Sequence, residues 1–334
     1  MSTQLAGTWR ESTTPEGGSP TSVLGMESML PSATRTFRAM GTECELIVYG
    51  SGADELVGMG AQRVELLEQC WSRFRPTSEL MHLNSLAGTG PVPVSEDLLT
   101  LVAIMLEAWK ATGGLFDPTV IASMNALGYD RDFASVIARE AIAAVTAQLT
   151  RAPGMGDVVV DEEAITIALP AGVGLDPGAI GKGLAADIIV EELMNAGADG
   201  VLVNLGGDIV FAGAPGSDAP WVMAIIDERL PRDAEDRVVR HLEFEAGTDH
   251  GAVATSTTLK RVWANGRHHV IDPRTGDVAR TDLVQATIAA ATGWWAEVAA
   301  TTALLLGSDK AEAWLDENEL VHVLMTAQGM TAGE

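Results

Sequence analysis

Basic residues are scarce in this chain: its 334 residues include 21 lysines and arginines against 46 aspartates and glutamates, a formal net charge of −25. Proteins bind nucleic acid and anionic membranes through clustered lysine and arginine side chains. The charge balance therefore argues against nucleic acid and against an anionic membrane surface as partners. An anionic ligand would need a local site built from fixed dipoles, a metal ion or one of the few cations.

Cysteine is scarcer still, with only Cys44 and Cys70 in the chain. Two cysteines are too few for a disulfide framework and lack metal-site spacing, so we expect both to be reduced and at least half-buried. No run approaches the roughly 18 apolar residues of a membrane span, which predicts no membrane insertion. The N terminus shows no basic segment followed by an apolar run, and a cytoplasmic location is expected from that pattern.

Apolar residues, by contrast, are plentiful at 47% of the chain, with 20% charged, so a large core can be buried. The length suits one large domain or two closely packed ones. Residues 1–33 are rich in Ser, Thr, Gly and Pro without an apolar period. They predict a disordered leader, which leaves residues 34–334 as the folded domain.

Runs of strands with helices between them predict an α+β protein whose helices pack on a mixed sheet. The apolar periods that support this class fall into two sets. Helices are predicted over residues 53–70, 95–110, 134–149, 180–195, 294–306 and 310–318. Strands are predicted as a pair or one long strand over residues 36–49, a hairpin over 158–168, and further strands near 200–204, 208–212, 221–227, 240–246, 249–256, 268–271, 284–290 and 320–325.

The most informative stretch, residues 175–187, places Asp176, a glycine-rich turn and Lys182 at the start of an apolar helix. Glycines permit close backbone approach and a helix start offers unpaired N–H groups, so phosphate is the natural ligand of such a turn. It is not a Walker A loop, because Gly183 follows Lys182 where that motif has Ser or Thr. A turn and helix cap without a ligand remains the alternative for this motif alone.

Two histidines precede the Asp-Pro turn of residues 272–276. Strand alternation places His268 and His269 on opposite faces, so at most one enters a given site. A neutral imidazole near pH 7 can accept a hydroxyl proton. The alternative is a pair of surface or core histidines without a role.

Glu297 and Thr301 lie four residues apart on an otherwise apolar helix, so their oxygens share one face. A buried carboxylate is costly without a partner, and a cation is one such partner. Oxygen ligands without His or Cys suit Mg²⁺. The alternative is that Glu297 emerges at a solvent edge or near the helix start. Asp117 and Met40 are two further candidate residues. Each has a purely structural alternative, Asp117 as a turn starter before Pro118 and Met40 as a strand core residue.

Residues 37–42, 113–119, 175–187, 203–208, 268–276 and 296–301, in this order, resemble the ApbE-type FAD:protein FMN transferases. The resemblance extends from about Phe37 to Gly307. It implies an ApbE-like fold with a flavin site between its sub-structures, Mg²⁺ as cofactor and FAD as substrate. It also implies an acceptor flavoprotein with a target Ser or Thr as partner.

The same resemblance implies roles for individual residues. His269 is the expected catalytic base. The positions expected to contact FAD are Met40, Phe74, Leu115, Phe116, Asp117, Asp176, Lys182 and Ile271, and those expected to bind the metal are Ala179, Glu297, Ala300 and Thr301. The chain departs from the family pattern at three positions. Glu297 replaces an aspartate, which puts that metal ligand in doubt, Phe74 replaces a frequent tyrosine, and Thr257 replaces a frequent glycine.

The resemblance implies Mg²⁺-dependent transfer of FMN from FAD to a Ser or Thr hydroxyl of another protein, with release of AMP. Two alternatives stay open. A hydrolytic relative would use water in place of the hydroxyl, which makes it an FAD pyrophosphatase that gives FMN and AMP. A flavin-binding protein without activity would keep the pocket but lack a competent metal site.

Overall fold

The fold was obtained as a computed structural model, which describes residues 9–12, 30–138, 149–216, 219–263 and 266–331. The helices are α1 (Ala53–Trp71), α2 (Glu79–Ser85), α3 (Glu96–Ala111), α4 (Ile121–Ala126), α5 (Phe133–Ile137), α6 (Gly181–Asn195), α7 (Gly293–Leu306) and α8 (Ser308–Glu317), with a 3-10 turn at Pro118–Val120. The strands are β1 (Trp9–Ser12), β2 (Ser32–Ala39), β3 (Thr42–Tyr49), β4 (Val92–Pro93), β5 (Val159–Asp161), β6 (Thr166–Ala168), β7 (Gly200–Leu205), β8 (Ile209–Gly213), β9 (Trp221–Ile226), β10 (Val238–Phe244), β11 (Thr248–Thr257), β12 (Val262–Trp263), β13 (Arg267–His268), β14 (Leu283–Ala290) and β15 (Val321–Thr326).

Seven strands form the central sheet, in the order β15-β14-β11-β8-β7-β3-β2. Smaller sheets contain β1-β10-β9, β4-β6-β5 and β12-β13. Every strand pair in the described residues is antiparallel. The sheet that the sequence analysis expected to be mixed therefore has antiparallel pairing throughout these residues. The predicted α+β class is confirmed.

Strand alternation gives the central sheet two apolar faces, each with its own cover. On β7, Val201 and Val203 belong to the core shared with helices α1, α6 and α7. Leu202, between them, belongs to a second core that contains Trp221 and Phe244 of β9 and β10. The sheet is therefore buried on both faces, by helices on one and by a small sheet on the other.

Helices α6 and α7 cross closely because both begin with glycine-containing turns. A Cβ placed on Gly183 would lie 2.3 Å from the carbonyl oxygen of Gly293, so no larger residue fits at this crossing. Asp187 of α6 caps the start of α7, since its carboxylate accepts from the backbone N–H groups of Gly293 (2.7 Å) and Trp294 (2.9 Å). This contact fixes the first turn of α7, which directly precedes Glu297, against the second turn of α6.

The predicted strand pair over residues 36–49 is a hairpin whose two turn residues are Met40 and Gly41. Both have positive φ, 49° and 70°, as a tight two-residue hairpin turn requires. The interpretation of Met40 as a strand core residue is therefore wrong, because the side chain leaves from the turn. The other predicted helices and strands are confirmed within a few residues, except that most of the predicted helix 134–149 falls on residues 139–148, outside the described residues.

The predicted leader stays a prediction, since residues 1–8 and 13–29 lie outside the described part of the chain. Within it, Trp9–Ser12 pairs with β10 and β2 begins at Ser32. Cys44 is buried and Cys70 half-buried, and neither is in a disulfide, as predicted. No helix among the described residues has the length and apolar character to cross a membrane.

Candidate functional site

A cavity of about 730 Å³ opens beside the C-terminal end of α1, the N-terminal end of α6, one face of α7 and the C-terminal parts of β9 and β11. It is lined by the Met40–Gly41 turn, the loop after α1, the glycine-rich turn before α6 and the segment that follows β13. The residues predicted for the site and found on its wall are Met40, Phe74, Leu115, Phe116, Asp117, Asp176, Ala179, Lys182, His269, Ile271, Glu297 and Thr301. Ala300 is fully buried and does not line it.

One part of the cavity is built around the ammonium group of Lys182. This group donates to Glu297 Oε1 at 2.5 Å and to Asp208 Oδ2, which belongs to the turn between β7 and β8. The backbone N–H of Gly183 donates to the other oxygen of Glu297 at 2.8 Å. Two nearly buried carboxylates, 3% and 5% exposed, thus share one ammonium.

The charge of this cluster is unbalanced. Burial disfavours the charge on Lys182, yet the adjacent Asp208 and Glu297 carboxylates outweigh burial and raise its pKa above the ordinary value. Burial raises the pKa of Glu297 above its ordinary value, against the opposing effect of Lys182. With both carboxylates ionised the cluster has a net charge of −1, which a divalent cation would compensate.

The donor set near Glu297 consists of oxygens. Thr301, one helical turn further along α7, shares a 2.9 Å hydrogen bond with the hydroxyl of Ser256 on β11. Ala179 lies in the glycine-rich turn on the same wall. Oxygen donors beside a net negative charge are the chemistry that Mg²⁺ prefers. No cluster of three His, Cys, Asp or Glu suited to a metal exists in the part of the chain that the structure describes, so backbone and hydroxyl oxygens would have to complete the coordination.

His269 lines the cavity and His268 does not. His268 is 9% exposed, and its Nε2 contacts the carbonyl of Ala279 at 3.1 Å. Ala279 does not line the cavity either. Burial lowers the pKa of His269 to about 3, and the positive charges of Arg261 and Lys182 contribute. Its Nδ1 is shielded from solvent and has no hydrogen-bond partner among the described residues. The imidazole is therefore neutral near pH 7.

A second part of the cavity is aromatic and contains Arg73. The guanidinium lies over the rings of Phe74 and Tyr129, at 4.1 and 4.5 Å from their centroids. Its Nε is 3.1 Å from Asp176 Oδ2. Trp263 packs against Tyr129 with ring centroids 5.2 Å apart. Phe74 is 36% exposed, whereas the arginine beneath it is buried.

The remaining predicted FAD contacts combine a structural role with a place on the cavity wall. Asp117 caps the 3-10 turn, where it accepts from the backbone N–H (2.9 Å) and hydroxyl (2.6 Å) of Thr119. Burial raises its pKa. Its interpretation as a turn starter is thus confirmed, and it also lines the cavity beside Leu115 and Phe116. Ile271 is buried after His269, in a bridge with Val278.

Three residues of the site were given no role by sequence reasoning: Arg73, Asp208, which ends the segment 203–208 of the resemblance, and Ser256. Asp208 had one usable signal, since it is an acidic residue between two apolar strands and directly follows two glycines. Arg73 and Ser256 had none, because their partners Asp176 and Thr301 lie far away in sequence. Only the packing of α1 and α7 against the glycine-rich turn and β11 brings these pairs together.

The chain is similar to known proteins over most of its length. The model of the ApbE family matches residues 40–325. A protein of Treponema pallidum named FAD:protein FMN transferase is 30% identical over 303 residues, which cover 85% of this chain and 81% of that protein. A protein of Klebsiella pneumoniae with the same name is 28% identical over 311 residues, 90% of this chain and 86% of its own length.

Solved structures share the fold. The ApbE protein of Thermotoga maritima superimposes with a TM-score of 0.78 at 22% identity, covering 91% of this chain and 97% of its own. The flavin transferase ApbE of Vibrio cholerae gives a TM-score of 0.69 at 21% identity, with 90% and 96% covered. At such identities these structures support the fold, whereas the family model spans most of the chain. This chain belongs to the ApbE family.

Proposed function

We propose that this protein is a transferase that moves FMN from FAD to a Ser or Thr hydroxyl of an acceptor protein and releases AMP. The observation that carries the proposal is the joint cavity, which gathers a neutral histidine, a lysine, oxygen donors and an aromatic wall from segments spread over the chain. The names of the Treponema pallidum and Klebsiella pneumoniae relatives point to the same reaction.

In this reaction the acceptor hydroxyl oxygen forms a bond to the phosphorus of the FMN half of FAD. The bond from that phosphorus to the bridging oxygen breaks, and AMP leaves with the electron pair. We assign His269 to accept the hydroxyl proton, because its ring is neutral and faces the cavity. Lys182 and the backbone N–H groups of the glycine-rich turn would orient the pyrophosphate.

Lys182 is bound to Asp208 and Glu297, so a pyrophosphate must compete with these carboxylates for its ammonium. Mg²⁺ fits the same place by the chemistry of its donors. Glu297, Thr301 and the carbonyl of Ala179 would hold it, while Ala300 stays a prediction from the resemblance. When bound, it would neutralise charge on the phosphates. The Glu297 carboxylate, which stands where the family has an aspartate, accepts from both Lys182 and the Gly183 N–H.

The test is mass spectrometry of the purified chain incubated with FAD and Mg²⁺, with and without purified candidate acceptor flavoproteins. A covalent flavin on the acceptor, together with AMP, is the expected result. Free FMN and AMP without an adduct would identify the pyrophosphatase alternative, which shares the metal and the base. Unchanged FAD, despite measurable binding, would identify a flavin-binding protein without activity.

A further inference from the structure

Arg73 is a nearly buried arginine with contacts to an aspartate, a carbonyl and two aromatic rings. Its side chain is 6% exposed and that of its ion-pair partner Asp176 is 4% exposed. Besides the two aromatic rings, the guanidinium contacts the Tyr129 carbonyl, to which Nη1 donates at 2.9 Å. The two ring contacts and this hydrogen bond together restrict the orientation of the guanidinium.

Two polar atoms of this pair lack a hydrogen bond. Nη2 of Arg73 and Oδ2 of Asp176 are shielded from solvent and have no hydrogen-bond partner among the described residues; the 3.1 Å contact between Nε and Oδ2 is an ion pair without hydrogen-bond alignment. A buried polar atom left unpaired destabilises the folded state, so native structures rarely keep two of them side by side. Both side chains line the cavity, where a ligand could supply the missing partners.

The chemistry of the pair selects the kind of ligand. Arg73 and Asp176 neutralise each other, so the pair offers no net positive charge to a phosphate. They offer one N–H donor beside one carboxylate acceptor, a few ångströms apart. The complementary ligand edge has an acceptor beside an N–H, which is the pattern of a cyclic imide or an aminopyrimidine. FAD contains one of each, the imide edge of the isoalloxazine ring and the amino edge of adenine.

We propose that Arg73, together with Asp176, is a positioning residue that recognises such a heterocycle edge of FAD. The inference rests on the proposed function in that FAD is the ligand. Phe74 covers the guanidinium and is itself partly exposed, so its ring is the part of the wall that must yield as the edge enters. Arg73 would thereby fix the position of one ring, while Lys182 acts on the phosphates.

The experiment measures binding without turnover, by calorimetry on the full chain. Riboflavin reports the isoalloxazine ring alone and AMP reports adenine. Arg73→Lys keeps the positive charge but removes Nη2, and Asp176→Asn keeps the shape but weakens the acceptor. We expect each variant to lose about tenfold in affinity for one of the two ligands, the loss of one charge-assisted hydrogen bond, and to bind the other within about twofold.

Ligand analogues separate recognition from a merely structural role. If the isoalloxazine is recognised, N3-methylriboflavin binds the parent about tenfold more weakly than riboflavin, and the difference disappears in Arg73→Lys and Asp176→Asn. If adenine is recognised, IMP takes the place of the methylated analogue, because its N1–H and carbonyl reverse the donor pattern. If Arg73 and Asp176 only support the fold, their variants would bind both ligands more weakly and would still distinguish each ligand from its analogue. That result would overturn the inference.

Arg63→Lys is the control, since Arg63 is likewise an ion-paired arginine, with Asp97 and Glu192 as its partners, but lies outside the cavity wall. Should Arg73→Lys fail to fold, Asp176→Asn decides the question by the same analogue test. A parent protein that binds neither riboflavin nor AMP would contradict the proposed function itself. A parent that binds one of them, with variants that bind it equally well, would refute only the role of Arg73.

Discussion

Two of the ion-paired cations on the cavity wall, Lys182 and Arg73, have surroundings that differ in charge balance. Lys182 faces two carboxylates and is 18% exposed, whereas Arg73 faces one carboxylate and two aromatic rings and is 6% exposed. A lysine ammonium is a compact charge on a flexible chain, and it can change partners. A stacked guanidinium keeps one orientation. The surroundings of Lys182 therefore suit the exchange of ions, and those of Arg73 suit the binding of a neutral ring.

The largest expected effect tests whether the excess negative charge around Lys182 serves a metal. Chelation with EDTA should reduce FMN transfer to background, and added Mg²⁺ should restore it, because Glu297, Thr301 and Ala179 offer only oxygens. Glu297→Ala should stay inactive at any Mg²⁺ concentration, while Glu297→Asp, the family's residue, should retain activity. Activity is measured as AMP release. Full activity in metal-free buffer would show that the excess negative charge around Lys182 does not serve a metal.

The next effect concerns the base beside the Lys182 cluster. His269→Ala should lower kcat by roughly 10²–10⁴-fold, the usual contribution of a positioned general base, and leave FAD affinity nearly unchanged. His268→Ala is the neighbouring control and should be mild, since that ring faces away from the cavity. Steady-state kinetics and FAD titration give both quantities. Equal losses for the two histidines would indicate collapse of the turn rather than loss of a base.

A smaller effect separates phosphate from ring binding. Lys182→Met should weaken FAD binding by roughly 10–150-fold, because one charge-assisted contact is lost. Riboflavin, which has no phosphate, should bind this variant as it binds the parent. In the absence of FAD the variant should bind Mn²⁺ more tightly, since Asp208 and Glu297 no longer have their internal cation. Lys110→Met, at the exposed end of α3, is the control. If Lys182→Met binds FAD as tightly as the parent does, Lys182 does not contribute to phosphate binding.

The smallest effect is the titration of His269. Its folded-state pKa of about 3 lies below the ordinary 6.5, so the folded protein binds fewer protons than the unfolded chain between these values. The stability from a neutral His269 is complete above about pH 6.5 and is lost as pH falls towards about 3. NMR should show its imidazole neutral down to about pH 4, and His269→Gln should be less sensitive to acid. An inflection near pH 6.5 for His269 would contradict the burial of this ring.

Much of the fold was predictable because its signals are local. The period of apolar residues defined the strands of the central sheet and helices α1, α3, α6 and α7, since each element repeats its own pattern over a few turns or pairs. The turn at Met40 was less predictable, because a methionine with positive φ is uncommon and only the paired strands beside it require that conformation.

The sequence by itself determined which segments could bear a site: a glycine-rich helix start with one lysine, a histidine before an Asp-Pro turn, and a glutamate on an apolar helix. Only the tertiary structure decided what these residues contact. Lys182 is separated by 26 residues from Asp208 and by 115 from Glu297, and their contacts depend on the close α6–α7 crossing at Gly183 and Gly293. Charge pairing across such separations follows from strand order and helix packing, which no local period encodes.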